Sequence, residues 1–243
     1  MDKNIVDQQE ITQNAIHFAH KNKKQIVQEI LNKGKYEKSL SPVSVFMAGA
    51  PGAGKTEFSK TLLDRLGESM DPATLLRIDL DEYRAFFPQY DGENSALFQG
   101  ACSIVAEKLH DTALEKGYSF IFDGTLSNYE KARLNVHRSL KRSRDVVIIF
   151  IYQYPQVSWD FTKTREKIEK RNIPKNVFIR EFIESRKNVE LLKKEFGSRL
   201  NVWLIHKNID PNNLFFDFHL NVESIDKYIK SAYTIQTLEE ELQ

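Results

Sequence analysis

The chain contains one cysteine, Cys102, in 243 residues. An intrachain disulfide is therefore excluded, which fits a reducing compartment. The neighbours of Cys102, residues 99–106, read as a mostly apolar helix, so an inert core thiol is expected rather than a nucleophile. Long hydrophobic runs are missing as well. The longest uninterrupted one, Val146–Tyr152, is far too short to cross a bilayer. The opening MDKNIVDQQEITQN has no apolar stretch suited to a secretory signal, so a cytoplasmic location without a membrane partner is expected. Charge of one sign is equally scarce. The 35 basic and 34 acidic residues leave a net +1, which argues against nucleic acid as a partner, because that footprint shows as a clustered basic excess. The short run Lys141, Arg142 and Arg144 is expected to be a solvated helix end. Internal repeats and low-complexity tracts are also lacking.

What is present points to an α/β fold. With 41% hydrophobic and 28% charged residues the chain can bury a core and stay soluble, and its length fits one domain with appended helices. From Gln9 to about Lys35, Ile11, Ala15, Phe18, Ile26, Ile30 and Leu31 recur at helical spacing. Residues 1–40 are thus expected to form a helical extension packed on the sheet; Phe18 and Ile26 facing outward is the alternative. Beyond Ser39–Pro42 come five short apolar runs: Val43–Ala48, Leu75–Leu80, Tyr118–Phe122, Val146–Tyr152 and Val202–Ile205. Their lack of polar alternation marks strands covered by helices on both faces. The expected fold is a P-loop NTPase, with a doubly wound, mostly parallel five-stranded sheet and flanking helices in a single domain. Residues 155–200 hold two highly charged helices separated by Pro174 and are expected to act as a lid. The stretch from Glu223 to Gln243 reads as one more helix.

The segment VSVFMAGAPGAGKT reads as strand, loop and helix start. Gly49, four intervening residues (Ala50, Pro51, Gly52, Ala53), Gly54, Lys55 and Thr56 match the Walker A pattern completely. Glycines allow backbone conformations closed to other residues and let amides approach phosphates. The amides and the following helix N-terminus form an anion site. Lys55 is expected to neutralise the β- and γ-phosphates of ATP or GTP, and Thr56 to ligate Mg²⁺.

Carboxylates at strand ends supply the remaining chemistry. The second run closes in Asp79-Leu80-Asp81, where ligands of open α/β sheets bind. A carboxylate there can take the proton of an attacking hydroxyl; Asp81 leads and Asp79 follows, with helix capping as the alternative use. The third run closes in Asp123-Gly124-Thr125, the form of a Walker B element that holds Mg²⁺, unless Asp123 orients the substrate or caps. Arg165 and Arg171 lie on a charged helix and its end, where lid cations stabilise a transferring phosphoryl group. His206, after the fifth run, sits where base contacts occur but is uninformative alone.

Taken in order, GAPGAGKT, IDLDEYRAFFPQY, FIFDGT, TREKIEKRNIP and WLIHKN resemble the zeta toxin family of bacterial P-loop kinases, over roughly Val43 to Ile209. The second match discriminates most, through Asp79, Asp81, Tyr83, Arg84 and Pro88. The resemblance implies ATP-dependent phosphorylation of the 3′-hydroxyl of the amino sugar in UDP-N-acetylglucosamine, and an antitoxin partner. It assigns Asp81 as base, Lys55, Arg165 and Arg171 as phosphate cations, and Asp79, Arg84, Asp123 and Thr125 as substrate contacts. One departure is that Asp123 stands where the family often has Glu, one methylene longer. Other readings are a P-loop kinase for a nucleoside, an antibiotic or a polynucleotide end, or a nucleotide switch. Against a GTPase switch, no Asn-Lys-x-Asp guanine motif occurs.

Overall fold

A six-stranded sheet in the order β2-β3-β1-β4-β5-β6 forms the centre of the computed structural model, which describes residues 3–69, 75–169, 172–210 and 213–242. The elements run α1 (Lys3–Asn32), β1 (Val43–Ala48), α2 (Lys55–Ser69), β2 (Leu75–Asp79), α3 (Gln99–Lys116), β3 (Ser119–Asp123) and α4 (Tyr129–Leu140). They continue with β4 (Asp145–Tyr152), α5 (Pro155–Glu169), α6 (Lys175–Phe196), β5 (Leu200–Asp210), β6 (Asn213–His219) and α7 (Ile235–Glu241). Strands β1 to β5 are parallel and β6 is antiparallel to β5. Every β4 residue after Asp145 is buried, as expected of a strand covered on both faces.

Six strands replace the expected five. The sixth was not legible as a buried run because it is an antiparallel edge strand, where Phe216 and Phe218 are exposed and Asp217 and His219 alternate with them. Helix α1 forms as expected, but it packs chiefly on α3 rather than on the sheet. Ala15, Ala19, Ile26, Val27 and Leu31 make its buried stripe, and Phe18 packs edge-on against Phe87 at 5.9 Å. Neither Phe18 nor Ile26 faces outward.

Three further expectations are corrected. Arg144 is not part of a solvated run. It is buried, and its guanidinium donates to Ser44 Oγ (2.7 Å), Val43 O (3.0 Å) and Tyr118 O (2.6 Å), tying the starts of β1 and β3 together. Within 155–200, α6 is a core helix, because Phe178, Phe182, Ser185, Val189, Leu192 and Phe196 recur at three- and four-residue intervals along one buried face. Residues 223–242 are not one helix. Arg186 draws the carbonyls of Ile229 (2.6 Å) and Ser231 (2.7 Å) out of helical bonding, and α7 starts only at Ile235, capped by Thr234, whose hydroxyl accepts the Thr237 amide.

Candidate active site

The phosphate loop follows β1 because its glycines tolerate what neighbouring strands impose. Gly49 has φ +135°, and a Cβ there would meet Ile151 O at 2.3 Å. Gly52 has φ +72°, and its Cβ would lie 2.0 Å from Ser158 O. Lys55 opens α2, and its ammonium donates to Gly49 O (3.0 Å) and Ala50 O (2.7 Å), at the rim where phosphate oxygens would arrive.

A cleft of about 320 Å³ lies over this loop and the carboxyl ends of β1, β2 and β3. Among the expected site residues it brings together Pro51, Gly52, Gly54, Lys55, Thr56, Asp79, Asp81, Asp123, Thr125 and Arg165. Arg165 reaches it from α5, whose first turns are anchored by buried Trp159 and Thr162. Trp159 packs on Phe178 at 5.1 Å. Arg171 lies outside the described residues. Arg84 does not line the cleft. It is buried beneath it, where Nη2 pairs with Asp81 Oδ1 at 2.9 Å and Nε donates to Ser95 O at 3.3 Å. His206 also stands apart from the lining, edge-on to Tyr152 at 5.1 Å.

The carboxylates are arranged by strand register. Asp79 and Asp123 are paired positions at the ends of β2 and β3, and each is 7% exposed. Asp79 caps the 3₁₀ helix Leu80–Phe86 that carries Asp81, its Oδ1 accepting the Asp81 amide at 2.9 Å. Burial first, and then the neighbouring Asp123, push the Asp79 carboxyl up to about 6, against an opposing pull from Arg77. Asp123 Oδ2 lies 3.1 Å from Ser59 Oγ of α2 and 2.8 Å from Arg77 Nη2, so one of its oxygens is committed to protein partners. Thr56, Asp79 and Asp123 offer oxygen donors of the kind a hard divalent cation takes. Among the described residues no group of three His, Cys, Asp or Glu side chains could hold a metal ion.

Several cleft residues escaped the sequence reading. Gln99, Ser103, Lys131 and Asn135 line the cleft from α3 and α4, and Lys131 donates to Ser103 Oγ (3.0 Å) while pairing with Glu107 (2.7 Å). They carry no motif, and only their position on α3 and α4 marks them. Arg77 did leave a signal, a charge inside an otherwise apolar strand two residues before Asp79. Cys102 is fully buried, its thiol pushed up to about 12 by burial.

A parallel sheet of order 2-3-1-4-5 with a Walker A loop after its first strand, and acidic side chains facing that loop, defines a P-loop kinase. Over residues 27–217 the chain matches the zeta toxin family, and it belongs to that family. Among solved structures it is similar to the PezAT chromosomal toxin–antitoxin system of Streptococcus pneumoniae, with TM-score 0.56 and 16% identity over 95% of this chain and 87% of that one. It is also similar to the AvrRxo1-ORF1:AvrRxo1-ORF2 structure with sulphate ions, with TM-score 0.59 and 15% identity over 90% of this chain and 70% of that one. The AvrRxo1-ORF1:-ORF2 structure with ATP gives TM-score 0.57 and 14% identity over 87% and 65%. At such identities the likeness speaks for the fold. No curated protein sequence matches the chain.

Proposed function

We propose that this chain transfers the γ-phosphoryl group of ATP to the 3′-hydroxyl of the amino sugar of UDP-N-acetylglucosamine, with Asp81 as general base. The carrying observation is the shared cleft. Lys55 and Thr56, and Asp81 on the turn after β2, line one and the same cleft. Arg84 orients the base through the 2.9 Å pair, and the Asp81 carboxylate would accept the proton of the acceptor hydroxyl. Lys55 shifts from loop carbonyls to phosphate oxygens, and Arg165, with Arg171, offsets charge on the transferring group. Thr56, and Asp123 through its uncommitted oxygen, would hold Mg²⁺, which supplies charge neutralisation at the phosphates. ATP as donor is supported by the AvrRxo1-ORF1:-ORF2 structure determined with ATP. An antitoxin partner is supported by the PezAT toxin–antitoxin structure. Asp79 and Thr125, which line the cleft, would contact the acceptor. A second reading keeps the kinase and changes the acceptor. It is favoured by Asp123, whose short side chain is tied to Ser59 and Arg77 instead of reaching fully into the cleft.

The base assignment is tested by Asp81→Asn. Turnover that depends on UDP-N-acetylglucosamine should fall about 10²- to 10⁴-fold, with ATP affinity retained. An unchanged rate would remove Asp81 from the mechanism. Phosphorylation of another hydroxyl compound, with UDP-N-acetylglucosamine untouched, would leave the kinase and replace its substrate.

A further inference from the structure

Strand β2 reads Leu75-Leu76-Arg77-Ile78-Asp79. Leu76 and Ile78 are fully buried on one face, so alternation places Arg77 and Asp79 together on the other. There the guanidinium meets four partners. Nη2 lies 2.8 Å from Asp123 Oδ2 and 2.5 Å from Asp79 Oδ2, Nη1 pairs with Glu82, and Nε donates to Ser59 Oγ at 3.2 Å. One side chain therefore joins β2, β3, α2 and the 3₁₀ helix after β2. Without a cation between them, the register-paired carboxylates of Asp79 and Asp123 would repel and splay. Asp79 in turn holds the Asp81 amide, and Arg84 holds the Asp81 carboxylate. Motion at Asp79 is thus passed directly to the residue that carries the base.

We propose that Arg77 is a positioning residue, whose planar fork locks Asp79 against Asp123 and so fixes where Asp81 stands over the phosphate loop. Its catalytic consequence rests on the kinase reading above, while its mechanical consequence does not. A lysine in the same place supplies one compact charge and cannot bridge two carboxylates and a serine in a plane.

Two measurements on Arg77→Met and Arg77→Lys test this. The first is amide hydrogen exchange across residues 79–86, in which both substitutions should speed exchange at Asp81 at least about tenfold while the buried face of α6 keeps its protection. Unchanged exchange at Asp81 would overturn the proposal whatever the activity. The second is kinetic. Arg77→Met should lower kcat about 10²-fold, the scale of a misplacement near 1 Å, with ATP affinity measured without magnesium changed less than about threefold, the size of a minor perturbation (under 1 kcal/mol). Arg77→Lys should recover only part of the loss. In an Asp81→Asn background Arg77→Met should cost little more, since the two act as a unit. Full recovery by lysine, or fully multiplicative losses, would make Arg77 a mere counter-charge and contradict the proposal. A wild type that phosphorylates no acceptor, but whose exchange responds as stated, would sink the kinase reading alone. Should Arg77→Met fail to fold, Arg77→Lys carries both measurements.

Discussion

Asp79 shows how a single side chain reports on the whole site. Burial and the adjacent Asp123 push its carboxyl up to about 6, and Arg77 draws it back. The folded protein therefore holds this proton more tightly than the unfolded chain does. The contribution to stability is complete below the unfolded value near 3.8 and is lost as pH rises through about 6. Melting temperatures of wild type and Asp79→Asn, compared from pH 4 to pH 7, should show wild type losing ground to the variant as pH rises. A wild type that gains on Asp79→Asn over that range would reverse the sign and place Asp79 in a different environment. The same residue shows where reading a sequence stops. Its position at a strand end and its use as a helix cap were visible, but its pairing with Asp123 depends on β3 lying alongside.

Among the elements, the strand–loop–helix of β1 and α2 was the most legible, because its chemistry is local. The glycines, lysine and threonine fall within eight consecutive residues, and the positive φ values of Gly49, Gly52 and Gly54 follow from that pattern. Gly52→Ala should abolish nucleotide binding in equilibrium titration, since its Cβ would fall 2.0 Å from the Ser158 carbonyl of α5 at a φ that alanine rarely adopts. Retained affinity would mean that the loop and α5 separate freely. The C-terminal region was the least legible, because what breaks its helix is an arginine far away in sequence. Arg186 spans Asp226, Ile229 O and Ser231 O, so Arg186→Met should destabilise the protein by about 1–3 kcal/mol in denaturant unfolding. It should also expose residues 225–231 to hydrogen exchange. An unaltered midpoint would leave that segment to be held by Ile225 and Ile229 alone, both buried. Strand β6 was missed for a related reason, since an edge strand with outward phenylalanines has no local mark of burial.

For the molecule as a whole, membership of the zeta toxin family and the doubly wound sheet account for the donor half of the cleft. Helices α3 and α4 add Gln99, Ser103, Lys131 and Asn135 to the lining of the same cleft. No helix among the described residues is long and apolar enough to cross a membrane. The central claim is that this cleft moves a phosphoryl group from ATP to a sugar hydroxyl. Mass spectrometry of UDP-N-acetylglucosamine incubated with enzyme, ATP and Mg²⁺ tests it most directly. The expected outcome is a gain of about 80 Da, one phosphoryl group, on the sugar nucleotide, absent with Asp81→Asn. A sugar nucleotide of unchanged mass beside fully consumed ATP would contradict it.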